Sequence, residues 1–141
     1  MNNSTTLKQS HYIIATFIAM TLHYSSALAN DLPEIKQEGG ITYVTGGIGD
    51  EERSALKAVQ HDYNLHVLSA AGTAGEYPGD THITIFDSHN HKLLDTDADP
   101  LFYAKVPAGH YSVEESSGGQ SKKQTIVIAA NKPDNITFRW K

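Results

Sequence analysis

Asp87-Ser88-His89-Asn90-His91 places a carboxylate and two imidazoles inside one short polar run. Neutral imidazoles are good ligands for copper or zinc, and a nearby carboxylate adds an oxygen donor, so Asp87, His89 and His91 form the candidate metal set. Two imidazoles on one turn do not close a coordination sphere, and a third ligand would have to come from another strand. The competing reading is a hairpin turn whose histidines face water. His66 and His82 belong to neighbouring strand segments and His110 precedes Tyr111, but the sequence does not place any of them against the turn.

Asp95-Thr96-Asp97-Ala98-Asp99 spaces its acids as a calcium loop begins, but the sixth position is Pro100 and the twelfth Val106. The loop needs Gly and a bidentate Glu there, so an acidic, solvated loop is the simpler reading. Thr45-Gly46-Gly47-Ile48-Gly49 opens a helix as a phosphate cradle would, yet Asp50, Glu51 and Glu52 follow and no Lys-Ser or Lys-Thr does. A phosphate would be repelled, leaving a glycine turn. There is no Gly-x-Ser-x-Gly elbow and no His-Glu-x-x-His. The chain has no cysteine, which removes thiolate zinc sites, cysteine nucleophiles and disulfides. No catalytic residue and no cofactor site is assigned.

Aromatic side chains offer a further route to a ligand. Tyr43, Tyr77, Tyr103 and Trp140 could stack on a sugar or a partner if exposed; Trp140 alternates with Ile136 and Phe138 and reads as core. Tyr77, in Gly75-Glu76-Tyr77-Pro78-Gly79, is the candidate ligand contact.

These residues need elements to position them. The chain has 141 residues, one-domain length, with 11 Lys plus Arg against 16 Asp plus Glu and a formal charge of −5. Nucleic-acid affinity rests on clustered cations, so a nucleic-acid partner is not expected. A polar head with Lys8, the apolar run Tyr12 to Leu22 and Ala27-Leu28-Ala29 have the order of a secretory signal, with cleavage after Ala29. These eleven residues, apolar apart from Thr16 and Thr21, rise only about 16 Å as a helix, roughly half a hydrocarbon core, so no stable membrane insertion is expected after cleavage. The expected location is the periplasm or outside the cell.

After residues 1–29, residues 30–48 read as a flexible lead-in in which Ile41 to Thr45 can form a short strand. Residues 49–63 read as a helix capped by Asp50, with Ala55, Leu56, Val59 and Tyr63 on one face, packed at the edge or end of something larger. Residues 64–141 carry short β-branched and aromatic runs separated by turn residues, the pattern of an antiparallel sandwich. Seven strands are predicted: Leu65 to Ser69, His82 to Phe86, Lys92 to Asp95, Phe102 to Val106, His110 to Glu115, Thr125 to Ile128 and Ile136 to Trp140. Alternation turns Ile83, Ile85, Phe102, Ala104, Val106, Tyr111, Val113, Ile126, Ile128, Ile136, Phe138 and Trp140 inward. Gly118-Gly119 and Asn131 to Asn135 read as further hairpin turns.

Ile83-Thr84-Ile85-Phe86-Asp87, Lys92-Leu93-Leu94-Asp95 and Phe102 to Val113, with Val106-Pro107-Ala108-Gly109-His110-Tyr111 at its centre, resemble the carboxypeptidase regulatory-like domain over about residues 65–140. The resemblance implies a seven-stranded, all-β, prealbumin-like (Ig-like) sandwich with a structural corner at Pro107, Gly109 and Tyr111. The run Gly46 to Arg53, with Asp62-Tyr63-Asn64-Leu65 and the Phe138-Arg139-Trp140 ending, is similar to a group of small exported proteobacterial proteins that carry this domain as their only folded part. The sequence departs from the family at Asp99-Pro100, where Asp-Gly is usual. One prealbumin-like family, the hydroxyisourate hydrolases, is enzymatic and ends Tyr-Arg-Gly-Ser; this chain ends Thr137 to Lys141 without that signature.

The resemblance therefore implies a noncatalytic binding or scaffolding module of the bacterial cell envelope, with an envelope protein or a glycan as partner. The alternatives are a periplasmic copper- or zinc-binding protein using Asp87, His89 and His91, and a carbohydrate-binding module using loop aromatics such as Tyr77.

Overall fold

A computed structural model describes residues 33–73, 76–130 and 132–141; the secretory signal expected over residues 1–29 lies outside the described residues. The elements run β1 (Lys36–Glu38), β2 (Ile41–Gly46), α1 (Asp50–Val59), a 3-10 turn (Gln60–Asp62), β3 (Leu65–Ala71), β4 (Thr81–Phe86), β5 (Lys92–Ala98), β6 (Leu101–Lys105), β7 (Gly109–Ser117), β8 (Gln120–Ile128) and β9 (Asp134–Trp140). They form two sheets, β1-β2-β6-β3-β9 and β5-β4-β7-β8, packed face to face as an all-β sandwich.

All seven predicted strands are present, and every residue assigned inward by alternation is buried. Among the described residues the strand count is nine rather than seven. The extra pair, β1 and β2, comes from the segment read as a lead-in. Lys36-Gln37-Glu38 has no apolar period because all three side chains are exposed. Gly39 and Gly40, with φ of 54° and 80°, supply the left-handed pair of a two-residue hairpin. A Cβ on Gly39 would lie 1.8 Å from the Leu93 carbonyl oxygen, so the turn is pressed directly onto β5.

Four further expectations are corrected. Pairing is antiparallel except between β3 and β9, which run parallel from Leu65↔Asp134 to Ala71↔Trp140. The hairpin turn expected at Asn131 to Asn135 would pair β8 with β9, but these strands belong to different sheets. The helix is also not at an edge or end. Its Leu56 and the following Tyr63 pack on Val44 and Tyr103, which point away from the main core, so α1 covers the outer face of β2 and β6. That is why β2 is buried on both faces, against the usual alternation of a half-wet sheet. The helix N-cap is Gly49 rather than Asp50, which is the first helical residue.

Both open seams of the sandwich are closed by polar side chains reaching across to backbone. On one side the Glu38 carboxylate accepts the Asp95 N–H at 3.2 Å, tying β1 to β5. On the other, Gln124 Nε2 donates to the Thr137 carbonyl at 3.1 Å and Lys122 Nζ to that of Arg139. These contacts occupy groups on edge strands that would otherwise template pairing with another chain.

Candidate functional site

The Asp87–His91 turn links β4 to β5, with Asp87 N–H donating to the His91 carbonyl at 2.9 Å and Asn90 at a φ of 63°. Asp87 Oδ1 accepts the backbone N–H groups of His89 and His91, both at 2.8 Å, while Oδ2 lies 3.1 Å from His91 Nδ1. These backbone donors, that of His91 foremost, hold the Asp87 carboxyl below its ordinary pKa. The rings of His89 and His91 stack with centroids 5.9 Å apart. The three predicted residues are thus brought together, but the carboxylate is spent on the turn and the imidazoles lie side by side. Among the described residues no three His, Asp or Glu side chains are grouped to hold a metal ion.

A second titratable cluster lies on the outer face of the β5-β4-β7-β8 sheet. Asp95 and Asp97, read from sequence as the start of a loop, belong to strand β5, so their alternate spacing puts both on one face. The β4–β5 register sets His82 opposite Asp97 and Thr84 opposite Asp95. His82 Nδ1 stands 2.8 Å from Asp97 Oδ1, and Nε2 contacts Asp95 Oδ1. The hydrogen bonds to Asp97 and Asp95 raise the His82 pKa. Lys92 foremost, then His82 and Thr84, hold Asp95 down at about 2. His82 divides the two carboxylates and spends both nitrogens on them, an arrangement suited to joining strands. A polar groove of about 480 Å³ beside it is lined by Lys36, Asp80, His82, Asp97 and Asp99, among others. Burial, and then the Glu52 charge, raise the pKa of Asp99 there.

His66 is buried beneath the helix end, in edge-on contact with Tyr103 at 4.9 Å between ring centroids. Its Nε2 lies 3.1 Å from the carbonyl oxygens of both Gln60 and Tyr63, so this nitrogen carries the proton. Nδ1 lies 3.1 Å from both the Gln60 amide nitrogen and Asn135 Oδ1. The ring is a clasp between the 3-10 turn and β3.

The glycine turn before α1 already holds an anion of its own. Glu52 Oε2 accepts the N–H groups of Gly47 at 2.9 Å and Ile48 at 3.0 Å, filling the place a phosphate would take. One residue on, Arg53 donates to the carbonyls of Gly47 at 3.0 Å and Ile48 at 3.1 Å and pairs with Asp50. The same guanidinium sits 5.7 Å from the centroid of the Tyr77 ring. Ile48 is 69% exposed and Tyr77 39%, so an apolar and an aromatic side chain are exposed on two loops, with Arg53 of α1 reaching both loops. Of the four aromatics considered as ligand contacts, Tyr77 alone is exposed. Tyr43 stacks on Phe102 in the core, Tyr103 lies under the helix, and Trp140 is buried.

The corner at Pro107, Gly109 and Tyr111 carries the chain from β6 in one sheet to β7 in the other. The Tyr111 ring lies over Gly109, where a Cβ would meet Cε2 and the hydroxyl at 3.4 Å. Asn64 braces the corner from outside the motif, its Oδ1 accepting the Val106 N–H and its Nδ2 donating to the Val106 carbonyl, both at 2.8 Å. At the departure Asp99-Pro100, the Asp99 N–H donates to Thr45 Oγ1 at 2.7 Å and the Pro100 carbonyl accepts from Ser69 N–H at 2.8 Å. Compared with models of known protein families and with curated proteins, the chain matches none.

Proposed function

We propose that this protein is a noncatalytic, exported binding or scaffolding module of the cell envelope, built as a prealbumin-like sandwich of carboxypeptidase regulatory-like type. The observation that carries the binding reading is Arg53. Three hydrogen-bonding groups of the Gly47–Asp50 segment and the Tyr77 ring fix its guanidinium between two loops that are far apart in sequence. Arg and Tyr are among the side chains that dominate binding energy at protein interfaces, and an Arg fixed in advance lowers the entropy lost on binding. The noncatalytic reading is supported by where the acid–base groups spend their bonds: His66 on two backbone carbonyls, His82 on two aspartates, Asp87 on its own turn. No helix among the described residues is long and apolar enough to cross a membrane.

A photo-crosslinking residue at position 48, carried by the full chain in cells, tests this. The reading expects one discrete adduct that weakens at least tenfold when Tyr77→Ala is added, since loss of a binding anchor costs about 1.4 kcal/mol or more. The same adduct from position 127 on β8, or no effect of Tyr77→Ala, would remove the loop cluster as the binding surface. Glycan-array binding lost on Tyr77→Ala would instead make the ligand a carbohydrate.

A further inference from the structure

Glu115 is the one carboxyl wholly enclosed in the sandwich among the described residues, with 0% of its surface exposed. It stands on β7, on the inward face with Tyr111 and Val113, and its two oxygens look across to the other sheet. Oε1 accepts the indole N–H of Trp140 at 2.6 Å, and Oε2 accepts the Ser69 hydroxyl at 2.6 Å. Ser69 is on β3 and Trp140 on β9, so a single side chain bonds the two strands that run parallel.

The groups facing it come from four strands. Beside Ser69 and Trp140, its cross-strand neighbours are Ile83 on β4, which is apolar, and Lys122 on β8. The Lys122 ammonium lies 4.9 Å from the centroid of the Trp140 ring and donates to the Arg139 carbonyl. The indole is thereby gripped at its N–H by Glu115 and approached over its ring by Lys122. Two opposed effects act on the carboxyl. Enclosure away from water disfavours the charged form, while the two donors and the lysine favour it; enclosure is the larger and raises its pKa. Strand β9 has a neighbour on one side only, so of the two strands that Glu115 bonds it is the one whose release breaks a single ladder.

We propose that Glu115 is a proton-operated latch on β9: protonated, with Oε2–H turned to donate to Ser69 Oγ while Oε1 keeps the indole N–H, it lets Trp140 seat fully between the sheets, and ionised, it loosens that seat. The docked strand binds the proton more tightly than the released strand. The latch therefore contributes most in acid, and its contribution falls as pH rises from the ordinary glutamate range through the raised value. Across that window the ratio of docked to released β9 changes by roughly tenfold for each pH unit separating the two pKa values.

Trp140 is the only tryptophan in the chain, so its fluorescence and its single indole N–H resonance report the latch without labels. Followed by pH titration of the full chain while circular dichroism stays native, both signals should move together, with a midpoint above the ordinary glutamate value of about 4.3. Amide exchange in β9 should speed up on the alkaline side. Glu115→Gln should flatten the titration, and Lys122→Met should move the midpoint upward by removing the favourable charge. A flat wild-type titration, or one retained in Glu115→Gln, would overturn the proposal. If Glu115→Gln does not fold, Lys122→Met decides alone: an upward shift supports the latch and an unmoved midpoint rejects it.

Discussion

His82 stands directly across from Asp97 in the β4–β5 register, and the same ring reaches Asp95, two residues back on the neighbouring strand. One imidazole therefore ties two carboxylates to the face of the sheet. Its pKa is raised in the fold by the hydrogen bond to Asp97, then that to Asp95. The folded protein holds the proton more tightly than the unfolded chain, so this stabilisation is complete below the ordinary histidine value of about 6.5 and disappears as pH rises through the raised one. Urea midpoints measured from pH 5 to 9 should fall across that window. In His82→Gln this component of the fall should be absent, and an unchanged profile would show that the ring does not couple the strands. The side chain is 39% exposed, so the effect is screened and should be smaller at high salt.

Leu56 holds the helix to the sheet through Val44 and Tyr103. Leu56→Ala removes a fully buried side chain and should cost about 2–5 kcal/mol, read as a lower urea midpoint. If the helix were only an appendage, the substitution would abolish helical dichroism and leave the β-sheet transition in place. Because Val44 and Tyr103 sit on strands β2 and β6, a single transition shifted as a whole is the expected result.

The sandwich was legible because alternation is a local signal. Ile83 with Ile85, and Ile136 with Phe138 and Trp140, declare their inward face without knowledge of any partner. Strand β1 was not, because Lys36, Gln37 and Glu38 are exposed and only their pairing with Ile41 to Tyr43 makes them a strand. The helix position was hidden for a related reason: Val44 and Tyr103 face away from the main core, and only α1 laid over them buries them. At the site, Tyr77 could be singled out from its Gly-Glu-Tyr-Pro-Gly setting, but Arg53 could not, since its contact with Tyr77 joins α1 to a loop distant in sequence. Glu115 continues the inward alternation of Tyr111 and Val113, and that period was the signal available for a buried acid.

Gly47 has a φ of 100°, and a Cβ there would lie 2.9 Å from Leu101 Cδ1. Gly47→Ala therefore meets both backbone strain and a packed side chain, and should cost about 1–3 kcal/mol. Gly79, with open space around it and no positive φ, is the matched control, for which Gly79→Ala should change stability by no more than about 0.5 kcal/mol. Equal effects at the two positions would mean that the Glu52-filled turn tolerates another backbone geometry.

Zinc or copper offers a direct test of the histidine turn. The rings of His89 and His91 lie nearly parallel, 22° apart, and one oxygen of Asp87 is taken by two backbone N–H groups while the other faces His91. To coordinate one ion, both imidazoles would have to rotate, and Asp87 would have to release donors that hold the turn. Two imidazoles alone leave a coordination sphere half filled by water, which gives weak binding. Micromolar zinc should therefore leave the imidazole resonances of His89 and His91 in place and the melting temperature unmoved. Stoichiometric displacement of both resonances, lost in His91→Ala, would show that the turn opens into a metal site and would put the metal-binding reading ahead of the loop cluster.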